Sequence, residues 1–302
     1  MNNDGRIVIG ENDSLEKLID ILNGFARKGE YVFRGYGKQD ELYPSIIRSK
    51  DLREEEEKLL ENFERYGSNY YKANTPIDFM SYAQHFGLPT RLLDFTFNPY
   101  IALSFATYNK KYSHNNKVKE DNDFYYIRYA NIKRNIILPE IPLKDDIYRN
   151  KMLITDSLAT RACQCIDNVE DLFGDNLLDR NAFSIVTSDL PNILDIQNKI
   201  RSKAILFINP NQSNQRIIMQ QGLFMFPYVL DRYEHLEILH RNSNVIMIHK
   251  NLREDIVQYL DTLGYNAFRL MPDLSSICEA VKRRVIDERY ENNKLFKKKD
   301  KF

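Results

Sequence analysis

Residues 84–100 constrain the fold of this chain more than any other stretch, because they force the backbone to change direction twice within a short run. Gly87 and Pro89 interrupt the chain before an apolar pair. Asn98 and Pro99 then begin a second element at a place where proline suits the first turn of a helix. The pattern predicts a turn, a strand and a helix start in succession, a layout that often presents site residues.

Four polar residues of this segment are candidates for one site: His85, Arg91, Asp94 and Thr96. A guanidinium group binds phosphate with two parallel hydrogen bonds, and the other three groups can donate, accept or move protons. A structural interpretation is also open, in which Arg91 and Asp94 form a buried ion pair that locks the turn.

The spacing of apolar residues predicts elements along the whole chain. Helices are predicted over 13–29, 52–71, 99–108, 215–221, 252–263 and 275–289, and strands over 31–35, 124–129, 183–187, 204–208, 223–226 and 245–248. The order predicts an α+β fold with a mixed, mainly antiparallel central sheet and flanking helices. We expect an N-terminal helix in 1–30, a domain over 31–290 with an inserted helical region at about 131–181, and a basic tail over 291–302.

Composition excludes several function classes. The 43 Lys and Arg residues balance 43 Asp and Glu residues, so whole-molecule attraction to nucleic acid or to a membrane is not expected. The first residues lack the apolar segment of a signal peptide and no run could span a bilayer, so a cytoplasmic location without a membrane partner is expected. Cys163, Cys165 and Cys278 fit neither a disulfide framework nor a zinc spacing, and no metal is expected.

Two further groups of polar residues lie outside the central segment. Arg34 and Gly35 are the last two residues of a predicted strand, and Arg216 precedes Gln220 and Gln221 in a short helical pattern. A glycine-rich phosphate loop and a nucleophile elbow are both missing from the sequence, so kinases and hydrolases are not favoured. Guanidinium and amide groups suit a nucleotide diphosphate better than an apolar ligand. In the competing interpretation, these polar groups satisfy one another inside the core.

These stretches resemble the three blocks of the FRG domain family, which is named for a Phe-Arg-Gly signature. The matching residues are Phe33, Arg34 and Gly35; the run 84–96 with Asn98, Pro99 and Ala102; and Arg216 with 220–224. The resemblance spans about 31–226, and the insert at 131–181 belongs to no block. Such domains are associated with phage-defence and toxin–antitoxin loci, which implies a regulated toxin and a neutralising protein partner.

A second similarity concerns the ADP-ribosyltransferase superfamily and implies NAD as substrate. By that resemblance Arg34 would contact a phosphate of NAD, with Tyr31, Gly35, His85, Arg91 and Arg216 around the bound dinucleotide. Thr96 would orient the nicotinamide ribose. The superfamily's third motif carries a glutamate, whereas this chain offers Gln220 and Gln221, so the acid role would move to Asp94.

The sequence therefore favours two functions. The first is an NAD-dependent ADP-ribosyltransferase that acts as a toxin or defence effector on a macromolecule, with RNA or DNA among the candidate acceptors. The second is a non-catalytic module that senses a nucleotide or a nucleic acid.

Overall fold

The computed structural model describes residues 6–49, 51–67, 69–71, 76–108, 123–139, 205–210, 215–227, 230–271 and part of 273–285. The strands are β1 (Arg6–Ile9), β2 (Tyr31–Tyr36), β3 (Leu93–Thr96), β4 (Phe124–Asn131), β5 (Ile136–Pro139), β6 (Leu206–Asn209), β7 (Gly222–Met225) and β8 (Asn244–His249). The described α-helices include α1 (Leu15–Lys28), α2 (Ser45–Arg48), α3 (Glu56–Gly67), α4 (Pro76–His85), α5 (Pro99–Tyr108), α6 (Gln215–Gln220), α7 (Arg232–Arg241), α8 (Arg253–Thr262) and α9 (Ala267–Leu270).

The described strands form one sheet in the order β1-β8-β4-β2-β3-β7-β6-β5. The pairs β1–β8 and β5–β6 are parallel, and the five pairs between them are antiparallel. The predicted α+β class with a mixed, mainly antiparallel sheet is confirmed. Among the described residues, no helix is both long enough and apolar enough to cross a membrane.

One face of the sheet is covered by α1, α5 and α8. Helix α1 begins because the Ser14 side chain accepts a hydrogen bond from the Lys17 backbone, and it ends at Gly29, which takes a left-handed φ of 63°. Its Leu18 and Leu22 are fully buried in a core that includes Phe33 of β2. The opposite face of the sheet packs against α7, whose Leu239 is fully buried.

The N-terminal region differs from the prediction of a separate helix over 1–30. Residues Arg6–Ile9 form an edge strand of the sheet, and α1 packs into the main core. This strand has only four residues, which is too short for its alternation to stand out in the sequence.

Other predicted elements also change. The start of the expected helical region at 131–181 is the strand β5, and most of that region, the predicted strand 183–187 and the tail 291–302 lie outside the described residues. The turn expected around His85 is the last turn of α4, and α7 was not predicted.

Candidate functional site

A polar cleft opens between α4, β3, α6 and β7. Its volume is about 390 Å³, including the space at its open mouth. The residues that line it are Ser81, Gln84, His85, Asp94, Phe95, Arg216, Ile217, Gln220, Gly222, Leu223 and Phe224. Of the ten predicted site residues, the structure brings His85, Asp94, Arg216 and Gln220 to this lining.

The C-terminal end of α4 places its last side chains at the cleft. The Leu88 N–H donates to the Ala83 carbonyl at 3.0 Å, and the Gly87 N–H donates to the Gln84 carbonyl at 3.0 Å. Gly87 adopts a left-handed φ of 94°. These three features define a Schellman cap, whose left-handed position favours glycine. The cap fixes the positions of Gln84, His85 and Phe86.

Three side chains form a chain of hydrogen bonds that orients the Asp94 carboxylate. The Thr90 hydroxyl, which is fully buried, donates to Gln84 Oε1 at 2.5 Å. Because that bond fixes the amide, Gln84 Nε2 points at Asp94 Oδ1 and donates to it at 2.9 Å. The carboxylate therefore has a set orientation and is held by a neutral partner.

Arg216 and His85 contact each other at the cleft. Arg216 Nη1 donates to His85 Nδ1 at 3.0 Å, and a guanidinium group can only donate, so this ring nitrogen accepts. Burial lowers the pKa of His85, the nearby Arg216 charge lowers it further, and Asp273 opposes the shift. The imidazole is thus neutral near pH 7, with its proton on Nε2.

Gln220 and Gln221 have different environments. Gln220 lines the cleft and donates from Nε2 to the Leu270 carbonyl at 2.8 Å. Gln221 is exposed, has a left-handed φ of 45°, and accepts the Phe97 N–H at its carbonyl. Gln221 belongs to the tight turn between α6 and β7 and is not part of the cleft lining.

Thr96 has a structural position rather than the expected contact with a ribose. The side chain is 3% exposed, and its hydroxyl donates to the Gln220 carbonyl at 2.7 Å while it accepts the Asn98 N–H at 3.0 Å. These two bonds tie the end of β3 to α6 and start the turn into α5. The hydroxyl is committed to the backbone and does not line the cleft.

Arg34 does not have the geometry expected of a phosphate-binding residue. Its Nε and Nη2 donate to the Glu41 carbonyl at 3.2 and 2.6 Å, and its Nη1 donates to the Asp94 carbonyl at 2.6 Å. Burial is the main cause that lowers the pKa of Arg34, and the Asp94 and Glu41 charges oppose it. The guanidinium joins β2 to β3 and to the turn after β2, behind the cleft rather than in its lining.

Arg91 forms a buried ion pair with Glu56, the first residue of α3. Its Nε and Nη2 donate to Glu56 Oε2 at 2.9 and 2.5 Å, and the Glu56 side chain is only 8% exposed. The guanidinium also lies over the Phe226 ring, 5.1 Å from its centre. The ion pair predicted between Arg91 and Asp94 is thus replaced by a buried pair that holds α3 against the start of β3.

Tyr31 and Gly35 lie on the other side of β2 from Arg34, because side chains alternate between the faces of a strand. Tyr31 packs edge-to-face on Phe25, with ring centres 4.9 Å apart. A Cβ atom on Gly35 would lie 1.7 Å from the Ala102 carbonyl oxygen, so this glycine allows α5 to cross β2. Both residues serve the core, and neither lines the cleft.

Gln84, Thr90 and Glu56 were not among the predicted site residues. Gln84 and Thr90 flank the residues that the sequence singled out, so their place in the same turn was the available signal. Glu56 lies in a run of four acids, and nothing in the sequence separates it from its neighbours.

The comparisons with known proteins give one match. Residues 29–115 match the family model of the FRG domain. Neither a curated protein nor a solved structure matches the chain. The matched segment contains β2, β3 and α4, whereas α6 and β7 of the cleft lie beyond it.

Proposed function

Starting from the FRG domain that this chain carries at residues 29–115, we propose that its cleft binds NAD and breaks the bond between nicotinamide and ribose. ADP-ribose then passes to a macromolecule, with RNA or DNA as the acceptor class. One observation carries the proposal: a guanidinium group, Arg216, and an oriented carboxylate, Asp94, line the same polar cleft.

Arg216 takes the phosphate-binding role that the sequence had assigned to Arg34. It lines the cleft and contacts a neutral imidazole, and a guanidinium group binds a phosphate with two parallel hydrogen bonds. His85 also lines the cleft, and its protonated Nε2 would be a second donor for such an anion.

Asp94 takes the acid role that a glutamate fills in the superfamily that the sequence resembles. When the glycosidic bond breaks, its electron pair leaves with neutral nicotinamide and positive charge develops on the ribose. A fixed carboxylate stabilises that charge without reorganisation. The acceptor nucleophile then forms a bond to the ribose carbon and loses its proton to solvent water. The Thr90–Gln84 hydrogen bonds hold the carboxylate in one orientation throughout.

A second function, a non-catalytic sensor of a nucleotide or nucleic acid, is favoured by a specific observation. The Thr96 hydroxyl, expected to orient a ribose, is committed to the backbone, and Gln220 lines the cleft where a glutamate was sought. A cleft with these groups can bind a nucleotide and leave its bonds intact.

The two functions are separated by incubating the purified full-length chain with NAD, alone and with RNA, DNA or cell extract, and measuring nicotinamide release and label transfer. We expect Asp94→Asn to lower turnover about 100-fold or more with NAD affinity retained, since a transition-state stabiliser is removed. We expect Arg216→Gln to weaken NAD binding. Arg241→Gln on α7, whose guanidinium is exposed and pairs with Glu237, is the matched control and should change neither.

Binding of NAD without nicotinamide release would support the sensor. Turnover that survives Asp94→Asn unchanged would show that this carboxylate does not stabilise the transition state. If the wild-type chain does not bind NAD at all, both assignments of the cleft fail.

The proposed biological role is a toxin or phage-defence effector that a partner protein neutralises. Its readout uses the same variants: expression of the wild-type chain in bacteria should stop growth, and Asp94→Asn and Arg216→Gln should relieve the arrest while Arg241→Gln does not. Equal toxicity of the wild-type chain and the three variants would show that the effect on growth does not depend on the cleft.

A further inference from the structure

Phe86 is an exposed aromatic residue at the rim of the cleft. Its side chain is 66% exposed, although an apolar ring of this size is ordinarily buried. It follows His85, which lines the cleft, and the two ring centres are 4.8 Å apart in an edge-to-face arrangement. The exposed ring therefore contacts a residue that lines the cleft.

The Phe86 ring is supported from beneath by other aromatic rings. Its centre lies 5.1 Å from that of Tyr82, and Tyr82 lies 5.2 Å from Tyr71. Tyr71 in turn stacks on Phe63 of α3 at 5.0 Å. The backbone at Phe86 is held by the Schellman cap that Gly87 completes. A ring fixed in this way loses little conformational entropy when a second ring stacks on its open face.

The arrangement next to the cleft matches the two parts of a nucleotide. Arg216 and His85 offer donors that suit a phosphate, and Phe86 offers a flat apolar surface beside them. A nucleotide joins an anionic phosphate to a planar heteroaromatic ring through a ribose. Aromatic side chains stack on such rings with little dependence on which base is present.

We propose that Phe86 is the stacking surface for the heteroaromatic ring of the bound nucleotide. This inference rests on the proposed function for its ligand, and it adds a residue that binds the base. The ring is the adenine or the nicotinamide, since both are planar heteroaromatics carried on a ribose phosphate.

The first test measures the affinity of the full-length chain for AMP, nicotinamide mononucleotide and ribose 5-phosphate by calorimetry. Phe86→Leu should weaken binding of at least one base-bearing ligand about tenfold, which corresponds to about 1.4 kcal/mol, because the leucine side chain cannot stack on the base. The affinity for ribose 5-phosphate should not change. Phe86→Tyr should keep the wild-type affinities. Tyr233→Leu, which removes another exposed ring from α7, is the matched control.

The second test uses the absence of tryptophan from the sequence. Phe86→Trp introduces a single indole fluorophore at the rim. AMP or nicotinamide mononucleotide should quench its emission on binding, and ribose 5-phosphate should not. The ligand that quenches identifies which of the two rings stacks there.

The outcomes distinguish this inference from the proposed function. If Phe86→Leu leaves both base-bearing ligands at wild-type affinity while Arg216→Gln weakens them, nucleotide binding stands and the stacking role is wrong. Equal loss for all three ligands would also overturn it, because the ring would then only support the fold. If the wild-type chain binds none of the three, the proposed function and this inference both fail.

Discussion

His235 is a buried histidine that the proposed chemistry does not use. Its side chain is 2% exposed and bonds to the Leu42 carbonyl through Nε2, while Nδ1 has no hydrogen-bond partner among the described residues. Burial lowers its pKa to about 4. The Leu42 carbonyl opposes that shift, and the charges of Arg34, Arg128 and His240 add to it.

We expect this residue to make folding sensitive to mild acid. Above pH 6.5 the ring is neutral in both states; between pH 6.5 and about 4 only the unfolded chain takes up the proton. The free energy of unfolding therefore falls as the pH falls through this window, by about 3 kcal/mol in total. His235→Gln, which keeps a donor for the Leu42 carbonyl, should lack this contribution when urea unfolding is measured from pH 7.5 to 4. Parallel curves for the two proteins would contradict the assignment.

The three arginines of the predicted site differ in their contacts, and the sequence did not indicate these differences. Arg34, Arg91 and Arg216 all lie in segments that carry several polar residues, and nothing in their immediate neighbours indicates which of them reaches the cleft. Their roles depend on groups distant in the chain: Arg34 meets the Asp94 carbonyl, Arg91 meets Glu56, and only Arg216 reaches the cleft. Residue type suggested three candidates for the site, but it did not indicate which partner each arginine would contact.

At the scale of elements, the contact between β2 and α5 depends on one missing side chain. Gly35 lets the Ala102 carbonyl approach to a distance that no Cβ could tolerate. The atom that would be displaced belongs to the helix backbone and cannot rotate away. Gly37, two residues later in the same segment, has nothing within 4 Å of the equivalent position.

We expect Gly35→Ala to lower the free energy of unfolding by about 3 kcal/mol or more, since α5 has to move off the sheet. Gly37→Ala should change it by less than about 0.5 kcal/mol. Chemical denaturation of the two variants checks the difference, with circular dichroism as a measure of folded content. Similar stability of both variants would show that the helix can shift at little cost.

Elements with their own start and stop signals were predicted well. Helix α5 was predicted within its observed bounds, because Pro99 marks its first residue. Helix α1 ends where Gly29 indicated. Helix α4 was taken for a turn, because Gly87 and Pro89 dominate the local pattern and the ten helical residues before them have no sharp apolar face.

At the scale of the whole molecule, the family match and the folding unit do not coincide. Residues 29–115 contain β2 and β3, which pair with each other only at Phe33 and Thr96. Strand β2 pairs along its full length with β4, and β3 pairs along its full length with β7, both outside the match. The matched segment therefore leaves most of its strand hydrogen bonds to the rest of the chain.

We expect a fragment limited to residues 29–115 not to fold by itself, because its two strands would expose unpaired edges and apolar faces. The measurement is a thermal or urea transition followed by circular dichroism, with the full-length chain as the control. A cooperative transition in the fragment would contradict the expectation and make the matched segment an independent domain.

The composition of the cleft lay beyond sequence reasoning for the same reason. Its two halves, α4 with β3 and α6 with β7, are more than 100 residues apart in the chain, and they meet because β3 pairs with β7. The motifs indicated segments that carry polar side chains, but strand order decided which of those segments became neighbours.

The Thr96 hydroxyl bonds to the Gln220 carbonyl on one side and to the Asn98 amide on the other. These bonds connect the two halves of the cleft. A movement of α6 away from β3 would therefore have to break a buried hydrogen bond. We therefore expect a ligand to enter without separation of these two elements, past the C-terminal end of α4, where the Phe86 side chain is exposed.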